Sequence, residues 1–361
     1  MAIKVLIVDD SALMRALLTE IIGGAPDLEV VGAAPDPIAA REMIKALNPD
    51  VLTLDVEMPR MDGLQFLQNL MRLRPMPVIM ISSLTERGSE VTLQALELGA
   101  VDFLTKPKAE NASSLLAYAD EICEKIRGAK GARLKTSTAR SASSTVSPAP
   151  TLVAPVAGGG FSAQFLASHV VAIGASTGGT EAIKEVICRL PADMPPVVMV
   201  QHMPETFTPS FAKRLNTVGA LRVIEAQGGE RLQPGMAYLA PGHSHMLVKR
   251  SGTGFVLELS KAEPVNRHRP AVDVLFDSVA EHVKHNALGV ILTGMGKDGA
   301  QGMLNMRKAG AWNISQDQAS CVVYGMPKEA FTVGAVDEVV TLNDVATRIV
   351  ARLRSEQRNA G

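Results

Sequence analysis

Cysteine is scarce in this chain. The three present, Cys123, Cys188 and Cys321, lie far apart in 361 residues with no C-x-x-C pair. That leaves no disulfide framework, and it reads as reduced, buried thiols in a cytosolic protein. Aromatic residues make up 4% of the sequence, too few for a platform that stacks single-stranded nucleic acid. Neither sign of charge is in excess, with 36 Lys and Arg against 37 Asp and Glu, so no whole-chain field favours nucleic acid or an anionic membrane. Long apolar runs are missing too: Val170–Ile173 and Val197–Val200 are far too short to span a bilayer. The first ten residues, Met-Ala-Ile-Lys-Val-Leu-Ile-Val-Asp-Asp, have no signal-peptide layout. These absences predict a soluble, cytoplasmic chain with no membrane insertion and no nucleic-acid partner.

What is present is globular: 47% apolar and 20% charged residues, over a length that suits two domains with a core each. From Gly128 to about Phe165 the composition shifts to Ser, Thr, Ala, Pro and Gly, with Lys130, Arg133, Lys135 and Arg140 and no acid, closing on Gly158-Gly159-Gly160. Such a stretch has no periodicity and too little bulk for a core, and predicts a flexible linker. The expected division is 1–128, a linker over 129–165, and 166–361.

Upstream, β-branched runs at Ile3–Val8, Glu29–Gly32, Val51–Leu54, Val78–Ile81 and Val101–Leu104 alternate with amphipathic stretches. Five strand–helix units predict a doubly wound parallel sheet. Downstream, Val170–Gly174, Val197–Gln201 and Leu288–Leu292 read as buried parallel strands. Between them the glycine-rich insert Leu221–Ser260, including Met236–Leu239, reads as antiparallel hairpins attached to an α/β core.

Ligands of open parallel sheets bind beyond the strands' carboxyl ends. In the first half those ends carry Asp9 and Asp10, Asp55, Ser82, and Lys106 before Pro107. Three clustered acids repel unless a hard cation sits among them, so Mg²⁺ is expected. A phosphoryl group on Asp55 would be held by that metal, Lys106 and the Ser82 hydroxyl. Helix capping accounts for Asp10 alone, not for the set.

In the second half the strand Val170–Gly174 runs into Ala175-Ser176-Thr177-Gly178-Gly179. The pattern Gly174-x-Ser176-x-Gly178 fits a nucleophile elbow, and by itself also fits a phosphate cradle. His202 after Val197–Gln201, and Asp298 after Leu288–Leu292, place the three residue types of a hydrolytic triad at three strand ends. Backbone N–H groups near Met295 or Thr177 are candidates for an oxyanion hole.

Residues 1–126 resemble the receiver domain of bacterial response regulators, on V-D-D at 8–10, L-D-V-E-M-P at 54–59, M-D-G at 61–63 and K-P at 106–107. The resemblance implies a flavodoxin-like fold and phosphorylation of Asp55 by a histidine kinase. It also implies Mg²⁺ on Asp9, Asp10, Asp55 and the Glu57 backbone carbonyl, with Ser82, Lys106 and Phe103 as switch residues. Residues 167–354 resemble the catalytic domain of chemotaxis protein-glutamate methylesterases, on G-A-S-T-G-G (174–179), Q-H-M-P (201–204), A-P-G-H (240–243), N-R-H-R-P (266–270), L-T-G-M-G-K-D-G (292–299) and G-M-P (325–327). That implies Ser176, His202 and Asp298 as the triad, with Met295 and Thr177 supporting the oxyanion. The implied reactions are hydrolysis of γ-glutamyl methyl esters on methyl-accepting chemotaxis receptors and deamidation of receptor glutamines, with no cofactor for the ester cleavage. The expected fold is α/β throughout: a five-stranded parallel receiver sheet, then a doubly wound hydrolytic domain with an antiparallel hairpin insert.

Two rival functions meet obstacles in the sequence. A DNA-binding response regulator needs a basic recognition helix, absent from the second half. A nucleotide-binding protein using Gly174–Gly179 needs a ribose-holding acid at the next strand end, where His202 stands instead. His243 with His245 and His282 with His285 read as structural or solvated residues, and the scattered methionines as core filling. Arg267 and Arg269 fit a substrate carboxylate and an internal acid equally well.

Overall fold

The structure is a computed structural model; it describes residues 2–58, 63–83, 85–107, 112–134 and 160–360. Met61 and Asp62 of the expected turn, and 135–159 of the expected linker, lie outside the described residues.

The first unit alternates β1 (Ile3–Val8), α1 (Ala12–Gly23), β2 (Leu28–Ala34), α2 (Pro37–Leu47), β3 (Val51–Asp55), α3 (Gly63–Leu73), β4 (Val78–Ser82), α4 (Glu86–Glu97), β5 (Asp102–Thr105) and α5 (Ala112–Lys130). Its strands form a parallel sheet in the order β2-β1-β3-β4-β5. Central strands such as β3 and β4 are buried along their whole length, which is why they read as unbroken apolar runs. Local chemistry fixes the helix starts: the Ser11 hydroxyl caps α1, and Asp36 caps α2 ahead of Pro37.

The second unit opens with α6 (Ala163–Ser168), β6 (Val170–Ala175), α7 (Gly179–Ile187), β7 (Val197–Gln201), α8 (Thr208–Val218), β8 (Arg222–Glu225) and β9 (Met236–Leu239). After the hairpin of β10 (His245–Ser251) and β11 (Gly254–Ser260) come α9 (Val272–His282), β12 (Ala287–Ile291), α10 (Ala300–Lys308), β13 (Trp312–Gln316), α11 (Met326–Thr332), β14 (Glu338–Val340) and α12 (Leu342–Ala360). Seven parallel strands run β14-β13-β12-β6-β7-β9-β8. The insert therefore differs from expectation. Only β10 and β11 pair antiparallel, whereas β8 and β9 extend the main sheet in parallel. Short alternating strands look alike in both pairings, because the partner, not the local pattern, sets direction.

The described edges of the expected linker are packed. Ala129 is fully buried, the Arg133 guanidinium donates to the Gln318 carbonyl at 3.0 Å, and Phe165 is buried in α6. The two units share an interface in which the Phe103 and Phe207 rings meet at 4.5 Å between centroids. Charge pairs flank it: Glu97 of α4 bonds Arg214 of α8 at 3.0 Å and also Lys184 of α7. Among the described residues no helix is long and apolar enough to cross a membrane.

Candidate functional site

Order in the second sheet decides what can meet. β12, β6 and β7 are adjacent at its centre, so the loops that follow them open side by side at one edge. Ser176 follows β6, His202 follows β7, and Asp298 lies in the turn between β12 and α10.

The elbow after β6 is held from several sides. The Ser176 N–H donates to the Thr293 carbonyl at 3.1 Å, and the Gly179 N–H to the Ser176 carbonyl at 2.7 Å. Gly178 starts α7 at φ +76°, a conformation that strains L side chains. A Cβ on Gly179 would lie 2.1 Å from Gln201 Oε1. Gln201 needs that place, because its amide donates to the Ser176 carbonyl at 2.9 Å and to the His202 carbonyl at 3.2 Å. One buried side chain thus ties two of the three loops together.

His202 Nδ1 lies 3.1 Å from Ser176 Oγ, and His202 Nε2 lies 2.8 Å from Asp298 Oδ2. Asp298 also accepts from the Val272 N–H at 2.6 Å, the Asp273 N–H at 3.2 Å and the Asn266 amide at 2.9 Å. Two of these donors form the N-terminus of α9, which favours an anion. Burial would raise the Asp298 carboxyl, but His202, Asn266 and the Val272 N–H outweigh it and bring it down to about 2. The ionised Asp298 accepts a hydrogen bond from the Nε2–H, which leaves Nδ1 unprotonated as the acceptor toward Ser176.

Two further contributors stand in the N-R-H-R-P turn, Asn266 and His268, to which the sequence motif alone assigns no role. Asn266 holds Asp298 and also Asp273, at 2.7 Å. His268 stacks on His202. A histidine inside a turn rich in polar residues was the available signal, but its partner lies 66 positions away. By contrast His245 is buried, accepts from the Ala271 N–H at 3.1 Å and lies 3.1 Å from the Glu263 carbonyl, in keeping with a structural role.

A cavity of about 800 Å³ opens onto Ser176, Thr177, His202, Met295 and His268. Its far wall belongs to the first unit, with Phe103 from β5 and Ala117, Asp120, Glu121 and Glu124 from α5. The Thr177 hydroxyl donates to Asp102 Oδ2, which Lys125 also meets at 2.8 Å. Met295 packs toward α5, where a methyl on Gly128 would sit 2.7 Å from its Sδ. Arg267 reaches Glu124 at 3.1 Å, so an acid of this same chain holds it here. Arg269 donates to the Lys261 and Ala262 carbonyls.

At the edge of the first sheet, one oxygen each of Asp9, Asp10 and Asp55 lie within 4.8 Å of one another. Lys106 Nζ reaches Asp55 at 2.7 Å and Asp9 at 3.5 Å. Burial pushes the Asp55 carboxyl up to about 6, with Asp9 adding to the rise and Lys106 opposing it. Burial raises Asp9 too, against the Ser11 N–H and Lys106. Glu57 donates its backbone N–H to Asp55 Oδ1 at 3.2 Å. The Ser82 hydroxyl is turned to α4, accepting from Thr92 Oγ1 at 2.8 Å and lying 3.3 Å from the Gly88 carbonyl.

Comparison with known proteins joins these two sites in one family. Residues 5–117 match the response regulator receiver domain and residues 171–349 the CheB methylesterase family. The chain is 63% identical over 351 residues to the protein-glutamate methylesterase/protein-glutamine glutaminase of Nitrosomonas europaea, covering 97% of this chain and 96% of that protein. It is 59% identical over 347 residues to protein-glutamate methylesterase/protein-glutamine glutaminase 1 of Dechloromonas aromatica, covering 96% and 97%. The solved CheB methylesterase catalytic domain of Thermotoga maritima aligns with a TM-score of 0.50 at 39% identity, over 51% of this chain and 98% of that one. With a receiver unit ahead of a hydrolase-like unit and relatives matched along nearly their whole length, this chain belongs to the CheB family of protein-glutamate methylesterases/protein-glutamine glutaminases.

Proposed function

We propose that this protein demethylates γ-glutamyl methyl esters on methyl-accepting chemotaxis receptors and deamidates receptor glutamines, with Ser176 as nucleophile. The observation that carries the reading is the unbroken chain Ser176–His202–Asp298 at the floor of the cavity. Ser176 Oγ attacks the ester carbonyl while His202 Nδ1 takes its proton; the imidazolium so formed is stabilised by Asp298. The tetrahedral intermediate collapses, and His202 returns the proton to the departing methoxide, giving methanol and an acyl-serine. Water, deprotonated by His202, cleaves that ester and releases the glutamate carboxylate. Backbone N–H groups at Thr177 and Met295 are suited to the oxyanion. The same steps on a glutamine release ammonia.

The receiver unit supplies control. Asp55 takes the phosphoryl group from the chemotaxis histidine kinase, and Lys106 neutralises the charge that arrives. The site fits Mg²⁺: its donors are hard carboxylate oxygens, and among the described residues the buried Asp9 Oδ2 has no hydrogen-bond partner, with the Lys106 ammonium 3.5 Å away. Asp9, Asp10, Asp55 and the Glu57 carbonyl would hold the ion, which supplies charge neutralisation for phosphoryl transfer. Unphosphorylated, the receiver walls the cavity against large substrates. Phosphorylation draws Ser82 away from Gly88 and Thr92, disturbs Phe103 against Phe207, and weakens the closed form. Methanol release from methylated receptor membranes, with and without a small phosphodonor plus Mg²⁺, tests the reading. No release under either condition would refute it.

A further inference from the structure

Five residues of α5 line the cavity: Ala117, Asp120, Glu121 and Glu124 are spaced i, i+3, i+4, i+7, and Lys125, paired with Asp102, follows at i+8, the stripe of a single helix face. One face of a helix thus lies across the site, about 10 Å of it at 1.5 Å per residue. Arg267 engages it: its guanidinium lies 3.1 Å from Glu124 and 3.7 Å from Asp120, two acids one turn apart. The backbone that presents this arginine is itself unusual. Asn266 and Arg267 sit at φ 52° and 67°, a left-handed conformation disfavoured for L side chains and concentrated at functional sites. Asn266 on one side is fixed on Asp298 and Asp273, and His268 on the other is stacked on His202. The turn anchors two catalytic groups and aims the side chain between them outward, where it remains 69% exposed.

Size points the same way. Two turns of helix, about 10 Å across and 11 Å long, occupy roughly 850 Å³, comparable with the whole cavity of about 800 Å³. A substrate helix lodged there would fill the space between the triad and α5, within reach of Arg267, which lines the same cavity. We propose that Arg267 is the substrate-selecting cation of this enzyme, taking a carboxylate within two turns of the reacting glutamate ester, and that the acids of α5 fill that place in the resting chain. The inference rests on the methylesterase reading above and adds to it a preference: an acidic helix as substrate, imitated by the protein's own α5.

The test uses the full chain with a small phosphodonor and Mg²⁺, and methylated receptor membranes. Arg267→Ala is expected to raise KM about 10-fold, the scale of a hydrogen bond to a charged partner, with kcat within about 2-fold. Arg267→Lys should recover part of the loss, and Arg267→Glu should exceed it. Amidating the receptor acids within two turns of the ester should raise the wild-type KM similarly, and should add nothing in Arg267→Ala, as expected for two halves of one contact. An unchanged KM in Arg267→Ala overturns the inference even if the resting rate rises, since Arg267 would then serve only to hold the receiver. If the wild-type chain releases no methanol, the methylesterase reading falls and takes this inference with it; release with an unchanged KM in the variant removes the inference alone.

Discussion

The His268 ring lies flat against the His202 ring, centroids 3.6 Å apart and planes inclined by 15°. Burial, and then the neighbouring His202, bring the His268 pKa down to about 3, so it is a neutral wall that fixes the imidazole plane. His268→Ala should lower kcat by about 10- to 100-fold, the scale of a misplaced reacting group, while His268→Phe keeps most of the rate. Linkage gives the sign for stability. A histidine with a depressed folded pKa binds its proton more readily when unfolded, so its contribution is complete above about 6.5 and is lost as pH falls toward 3. Thermal melts from pH 7 to 5 should show this loss, and His268→Phe should flatten it.

Ser176→Ala should abolish methanol release, by about 10³-fold or more, while leaving the melting temperature nearly unchanged. Removing His202 as well should add little, because members of a triad act as a unit. A folded Ser176→Ala protein with normal turnover would show that another nucleophile is at work.

Asp55→Asn should end labelling by a phosphodonor and leave resting methanol release in place. Without a divalent cation Asp55 titrates near 6, above its unfolded value. This group therefore favours folding below about pH 4, and its contribution is lost as pH rises through 6. Mg²⁺ should raise the receiver's melting temperature most above pH 6, where the carboxylates are ionised and repel. A metal response equal at pH 4.5 and pH 7.5 would contradict this.

Glu97 clasps Lys184 and Arg214 across the interface, a set of pairs separate from the Arg267–Glu124 contact. Glu97→Gln should therefore raise the unphosphorylated rate on receptor membranes by a few-fold, the usual worth of partly exposed pairs. Salt screens the same pairs, so raising NaCl from about 50 to 500 mM should raise the wild-type resting rate more than that of Glu97→Gln. Equal salt responses would point to the apolar Phe103–Phe207 contact as the dominant closure.

Much of this was legible from the residues alone, for a physical reason. Strands covered by helices on both faces must be continuously apolar, so β1, β3, β4, β6, β7 and β12 declare themselves, and the polar residues that end them declare the sites. What the sequence hid was partnership at a distance. β8 and β9 were misread because direction of pairing leaves no local mark. β13 and β14 were not singled out because β13 carries Asn313, Ser315 and Gln316 facing buried hydrogen bonds, which breaks the apolar signature. His268 drew no role from its motif because its meaning is a stacked ring on another strand's loop, and Arg267 stayed ambiguous because its partners belong to the other domain.

The order of elements along the chain has a consequence for how the protein is made. No contiguous stretch carries the hydrolytic centre: Ser176 and His202 wait for Asp298, which arrives only after β12 has inserted beside β6. The receiver, by then, has long been complete. At about 5–20 residues per second, with domains folding in order of emergence, synthesis from 134 to 298 takes roughly 10–30 s. The nascent esterase unit is thus born next to a finished receiver on the same polypeptide, so the α5 wall of the cavity exists before the last member of the site arrives.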